Sequence, residues 1–244
     1  MRIRLKDSVH TQLKYDDNRK MLISSISHDL KTPVTSIKGY VEGILDGIAN
    51  TPEKKERYLK TIHSKARQLD KMIDDLLLYA KLDLNQIPYN FERIDMEEFL
   101  KDCIQENEPE LERDNIRLEF QNELSQKYHI LVDRERMKRV IMNIMENSRK
   151  YMNKEQGRIK FGLRETNNSL IIEISDNGEG IKDTDLPHIF DRFYRSDKAR
   201  SGIKGSGLGL AIAKQVVEDH KGRIWAVANK DEGTSIMISL GKSC

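Results

Sequence analysis

Apolar residues step by threes and fours along two adjacent stretches of this chain, and that spacing limits what the first third can become. Ile23, Ile26, Leu30, Val34, Ile37, Val41, Ile44 and Ile48 form one series; Leu59, Ile62, Ala66, Leu69, Ile73, Leu76 and Ala80 form the other. A mean step of about 3.5 residues is the seam of helices packed along their length. The turn between the two helices holds Gly47, Asn50, Thr51 and Pro52, with Thr51 suited to cap a second helix and Pro52 to be its first residue. The segment predicts an antiparallel helical hairpin of two helices of roughly 28–30 residues, each about 43 Å long. One hairpin buries only one side of each helix. Two hairpins in a four-helix bundle bury the seam, so a homodimer is expected.

Charge divides the chain at the same place. Residues 1–82 hold 16 Lys and Arg against 11 Asp and Glu, a net of +5, and the remainder holds 26 against 29, a net of −3. The overall balance of +2 argues against nucleic acid as a partner of the whole chain. No run approaches the length of about 18 apolar residues that spans a membrane, so no membrane contact is expected within this chain. Cys103 and Cys244 match no zinc or redox spacing, which fits a reducing, cytoplasmic location, including as the cytoplasmic part of a membrane-anchored receptor.

After a polar connector at 83–94 the periodicity changes. Residues 96–113, 133–151 and 206–221 read as helices. Residues 116–120, 130–132, 158–163, 170–175, 223–228 and 235–240 read as short strands, with Asn167 and Asn168 at a hairpin turn. Helices mixed with mostly antiparallel strands predict an α/β sandwich, its helices on one face of a sheet. The expected organisation is a signalling-helix segment at 1–20, a helical dimerisation domain at 21–82, the linker at 83–94 and an α/β domain at 95–244.

His28 lies off the apolar seam, beside Asp29. Thr32 stands one turn on, and Pro33 withholds the N–H that Asp29 would accept and is expected to bend the helix. A carboxylate that takes the ring proton leaves the other imidazole nitrogen free to attack. The string Ser27-His28-Asp29-Leu30-Lys31-Thr32-Pro33 resembles the H-box of bacterial two-component sensor histidine kinases. The resemblance implies that ATP phosphorylates His28, that Asp29 assists, and that Thr32 positions water for dephosphorylation of a partner regulator.

The second region carries no P-loop and no dinucleotide fingerprint. Residues 205–210 read Gly-Ser-Gly-Leu-Gly-Leu and run directly into a helix, where free backbone N–H groups favour phosphate. Asp176 follows a strand and precedes Gly178 and Gly180. A buried carboxylate there accepts from the exocyclic amine of adenine but faces another acceptor on guanine. Asn143, Asn147 and Lys150 share one helix face; an amide oxygen suits Mg2+ and an ammonium suits phosphate. Tyr151 can pack on the base. Arg192, Arg195, Lys198, Arg200 and Lys204 make 191–204 a candidate basic lid.

These elements occur in the order of the nucleotide-binding boxes of the same family. Residues 141–151 resemble its N-box, 176–181 its first glycine box, 189–195 its F-box and 205–210 its second glycine box; Gly233 and Thr234 look like its last, weaker one. The resemblance covers roughly 20–241 and implies a Bergerat (GHKL) fold and a homodimeric, ATP-dependent protein-histidine kinase passing phosphoryl groups to a response regulator. It implies a nucleotide site built from Asn143, Lys150, Tyr151, Asp176, Gly178, Gly180, Arg195, Gly205, Gly207, Leu208, Gly209 and Thr234, with Mg2+ on Asn147. Related ATPases carry a water-activating glutamate where this chain has Asn143, which favours transfer to protein over hydrolysis.

Overall fold

A computed structural model describes residue 27 and residues 29–83, 88–195, 207–229 and 233–242. The chain divides into two compact units, Met1–Ala80 and Lys81–Cys244.

The first unit is the helical hairpin. Helix α1, described over 29–45, runs through Pro33, and α2 spans Pro52–Asp83. Gly47 ends the first helix: its φ of +72° lies in the left-handed region that only glycine enters freely. Thr51 caps α2 as expected, its Oγ1 accepting from the Lys54 amide at 3.2 Å. The helices meet where Tyr40 and Tyr58 stand edge to face, ring centres 4.9 Å apart. A Cβ on Gly43 would come within 2.9 Å of the Tyr58 ring, so the small residue sets how closely the helices approach. Much of the seam stays uncovered within one chain: Val34, Leu59 and Ile73 are 51%, 58% and 43% exposed.

In the second unit, β1 (Glu92–Asp95) leads into α3 (Met96–Arg113), β2 (Ile116–Asn122), β3 (His129–Val132) and α4 (Arg134–Lys150). Then follow β4 (Gly157–Glu165), β5 (Ser169–Asp176), α5 (Gly209–Asp219), β6 (Arg223–Ala228) and β7 (Thr234–Gly241). The main sheet has the order β2-β4-β5-β7-β6, and every pair except β2–β4 is antiparallel. Alternation decides its faces. Ile159, Phe161 and Leu163 are fully buried, whereas Arg158, Lys160 and Arg164, in the alternate positions of the same strand, are exposed. Register extends the buried side across the strands: Phe161 faces Ile174 and then Ile236, and Leu163 faces Ile172 and then Ile238. Helices α3, α4 and α5 pack on β2, β5 and β6. Met137, Val140, Ile141 and Ile144 of α4 and Ile212, Val216 and Val217 of α5 are buried.

Strand β1 lies where the sequence predicts connector. Glu92-Arg-Ile-Asp95 has one apolar residue in four, too little to read as a strand, but it pairs antiparallel with β3, placing Ile94 against Ile130. The last residues of the connector therefore belong to the α/β unit.

Candidate nucleotide site

The site residues converge where the C-terminal end of α4, the turn after β5, the start of α5 and the start of β7 meet. Asp176 is the last residue of β5. Its Oδ1 accepts from the amide of Gly178 at 3.0 Å and from that of Thr234 at 3.3 Å, and its Oδ2 accepts from Ser148 Oγ at 2.9 Å. Burial raises its carboxyl above the ordinary aspartate value, and these three hydrogen bonds pull against that shift. The carboxylate is thus an acceptor held in place by donors from three elements.

Two glycines make the arrangement possible. A Cβ on Gly178 would meet the Tyr151 carbonyl at 2.7 Å; one on Gly233 would sit 1.9 Å from the Asp176 carbonyl, and Gly233 holds a φ of +89°. Gly180, at φ +76°, lies against the Gly233 backbone. The turn is tied to α4 by the Glu179 amide, which donates to Tyr151 O at 3.1 Å.

Helix α4 supplies the polar face. Asp133 caps its start, accepting from the Arg136 amide at 3.0 Å. At its other end, Lys150 Nζ lies 4.9 Å from the Tyr151 ring centre. Burial raises the Tyr151 phenol, and the Arg195 cation opposes that rise, which places Arg195 in the field of the same corner. Asn147 is half-buried between Asn143 and Lys150. Asn143 itself is buried, and its Nδ2 donates to the Gly209 carbonyl at 3.0 Å. Its first role is therefore to fasten α4 to the opening turn of α5.

Helix α5 begins without a side-chain cap. Its N-cap position is Leu208, whose side chain is buried, so Leu208 can serve a ligand only through its backbone. Gly207 has φ +67° and its carbonyl accepts from the Phe193 amide at 3.0 Å, bringing the two ends of the 194–206 segment together. Backbone N–H groups at such a start are anion donors.

Asp29 is half-buried and Thr32 exposed, both on α1. His28, Gly205 and the 196–204 part of the candidate lid lie outside the described residues. Ser148 was not among the sequence-derived candidates. It follows Ile141 and Ile144 along the apolar face of α4, and its spacing alone carries no signal for the role that the hydrogen bond to Asp176 gives it.

The fold and site define a GHKL-type nucleotide-binding domain preceded by a helical hairpin. The family model described as His Kinase A (phospho-acceptor) domain matches residues 18–85, and that described as Histidine kinase-, DNA gyrase B-, and HSP90-like ATPase matches residues 132–243. The chain belongs to the histidine kinase family through both domains. It is 33% identical, over 236 residues, to the sensor histidine kinase WalK of Bacillus subtilis (strain 168), covering 95% of this chain and 38% of that one. The chain thus spans well under half the length of that relative. Among solved structures, the histidine kinase AdeS of Acinetobacter baumannii aligns with a TM-score of 0.72 at 23% identity, over 89% of this chain and 98% of that one. The histidine kinase ThkA, solved in complex with the response regulator protein TrrA, aligns with a TM-score of 0.74 at 21% identity, over 94% and 66%. At these identities the two structures speak for the fold alone. No helix among the described residues is long and apolar enough to cross a membrane.

Proposed function

We propose that this chain is the catalytic core of a sensor histidine kinase, which phosphorylates itself on His28 from ATP and passes the phosphoryl group to an aspartate of a response regulator. The observation that carries this reading is the corner around Asp176, where α4 holds both a fixed carboxylate acceptor, through Ser148, and the uncapped start of α5, through Asn143. The carboxylate selects the adenine amine, and guanine would set a carbonyl oxygen against it. Backbone amides of 207–209, Lys150 and Arg195 take the phosphates, and Tyr151 lies beside the base. The half-buried Asn147 amide fits a shared Mg2+ site, since magnesium is held chiefly by phosphate oxygens and water with few protein ligands. Held there, the ion would supply charge neutralisation for the transferring group.

In the transfer step a ring nitrogen of His28 forms the bond to the γ-phosphorus, the bond to the bridging β–γ oxygen breaks, and ADP leaves with the electron pair. Asp29 accepts the proton carried by the other ring nitrogen. Thr32, exposed one turn along α1, is suited to place a water for regulator dephosphorylation. The uncovered seam of Val34, Leu59 and Ile73 fits a homodimer through the hairpins. The complex of ThkA with its regulator supports a receiver domain as the partner of this chain.

The test is incubation with labelled Mg-ATP. Acid-labile label is expected on the protein, absent from His28→Gln while ATP affinity persists; label that survives the substitution removes His28 from the reaction. Rapid ATP turnover without phosphoprotein would instead make the chain an ATPase.

A further inference from the structure

Three consecutive connector residues are bound to the two helices that carry the nucleotide site, at the ends opposite to those that meet the ligand. The Tyr89 hydroxyl donates to Asp219 Oδ2 at 2.5 Å, at the last turn of α5. The Asn90 amide donates to Oδ2 of Asp133, the cap of α4, at 2.9 Å. The Tyr89 and Phe91 rings both stand edge-on to His220, with centres 5.4 and 5.0 Å away.

His220 is the keystone of this cluster. It is buried, its Nε2 accepts from the Asp133 amide at 2.9 Å, and its Nδ1 donates to the Val216 carbonyl at 2.7 Å. One imidazole thereby joins the start of α4, the end of α5 and the underside of the connector. The cluster touches neither Asp176 nor the glycine turns, and nothing in the nucleotide chemistry calls for it.

We propose that Tyr89, with Asp219 and His220, is a positioning strap that sets where the connector leaves the α/β unit, and so how effectively bound ATP reaches the acceptor histidine. The inference rests on the kinase reading above. With the strap closed, only residues 84–88 separate α2 from the anchored Tyr89. When Tyr89 leaves and the neighbouring Asn90 and Phe91 anchors are released with it, the first fixed residue is Glu92 of β1, and the tether lengthens to 84–91. At about 3.5 Å per residue the added reach is on the order of 10 Å. A longer tether spreads the acceptor over a larger volume and lowers its effective concentration at the γ-phosphate. The strap therefore acts on transfer, not on nucleotide binding.

The test uses the full chain with Tyr89→Phe, Asp219→Ala, their double variant and Tyr89→Ala. Affinity for a non-hydrolysable ATP analogue is measured by calorimetry, self-phosphorylation by initial rate, and connector anchoring by the hydrogen-exchange protection of Asn90 and Phe91. Expected are analogue affinities unchanged from the parent and a Tyr89→Ala rate lowered at least about twofold, as an eight-residue in place of a five-residue tether implies, with protection lost. Tyr89→Phe, which keeps the ring, should fall in between, and the double variant should be no slower than the slower single one. Unchanged rates with lost protection overturn the proposal, as does a loss of analogue affinity parallel to the loss of rate. Failure of the parent protein to label itself overturns the kinase reading instead and is distinguished by the parent control.

Discussion

Asp176 is charged where burial disfavours charge, and two predictions follow from that conflict. A group whose folded pKa is raised stabilises the fold only while protonated, so at neutral pH the ionised carboxylate is a net cost to stability. Asp176→Asn is accordingly expected to melt no lower than the parent, yet to lose ATP affinity by at least about 100-fold, because an amide N–H then faces the adenine amine. Calorimetric melting and nucleotide titration read the two halves separately. Ser148→Ala removes a hydrogen bond to a charged group, worth about 1.5–3 kcal/mol, and should weaken ATP binding about tenfold or more while leaving helix content by circular dichroism unchanged. Gly233→Ala is different in kind. Its Cβ would overlap the Asp176 carbonyl at 1.9 Å, so both stability and binding should fail together. Asp176 and the glycines were legible as residues from their spacing, because a turn that brings backbones this close excludes other side chains. Ser148 was not, since a serine among isoleucines reads as a filler until the strand end opposite it is known.

At the scale of elements, α4 and α5 are fastened at both ends, by Asn143 to Gly209 near the ligand and by Asp133 to His220 at the far end. His220 must be neutral to accept from the Asp133 amide. Burial depresses its pKa, although the carboxylates of Asp133 and Asp219 oppose that shift; Tyr89 packs on its ring, and Arg136 lies in the field of Tyr89. A depressed folded pKa contributes stability that is present above the unfolded value of about 6.5 and lost as pH falls below it. Urea unfolding of the parent should therefore weaken between pH 7.5 and 5.5 by more than that of His220→Gln, the gap between them narrowing in acid; parallel pH profiles would contradict it. The ion pairs between α3 and α4, Asp102 with Arg134 and Glu106 with Lys138, are about half exposed. Asp102→Ala should cost less than about 1 kcal/mol, and less still in high salt. Long periodic helices were readable in advance, whereas β1 was not, because pairing with β3 rather than its own composition makes it a strand.

For the whole molecule, the exposed seam is the feature a single chain does not satisfy. Leu59→Glu with Ile73→Glu places charge on that face and is expected to convert a dimer to monomers in sedimentation velocity, with the melting of the α/β unit unaffected. The charge asymmetry found in the sequence maps onto the same division, the helical unit being positive and the α/β unit slightly negative.

Sequence alone determined the period of the two helices, the turn chemistry at Gly47 and Thr51, the order of strands and helices after β1, and the residue types of the nucleotide corner. These are local properties: spacing, capping and backbone freedom act within a few residues of one another. Only the tertiary structure decided that Ser148 holds Asp176, that Asn143 clasps Gly209, and that Tyr89 and Phe91 close onto His220. Each of those contacts joins residues from separate elements, and their partners are set by sheet register and helix packing, which no short stretch of sequence encodes by itself.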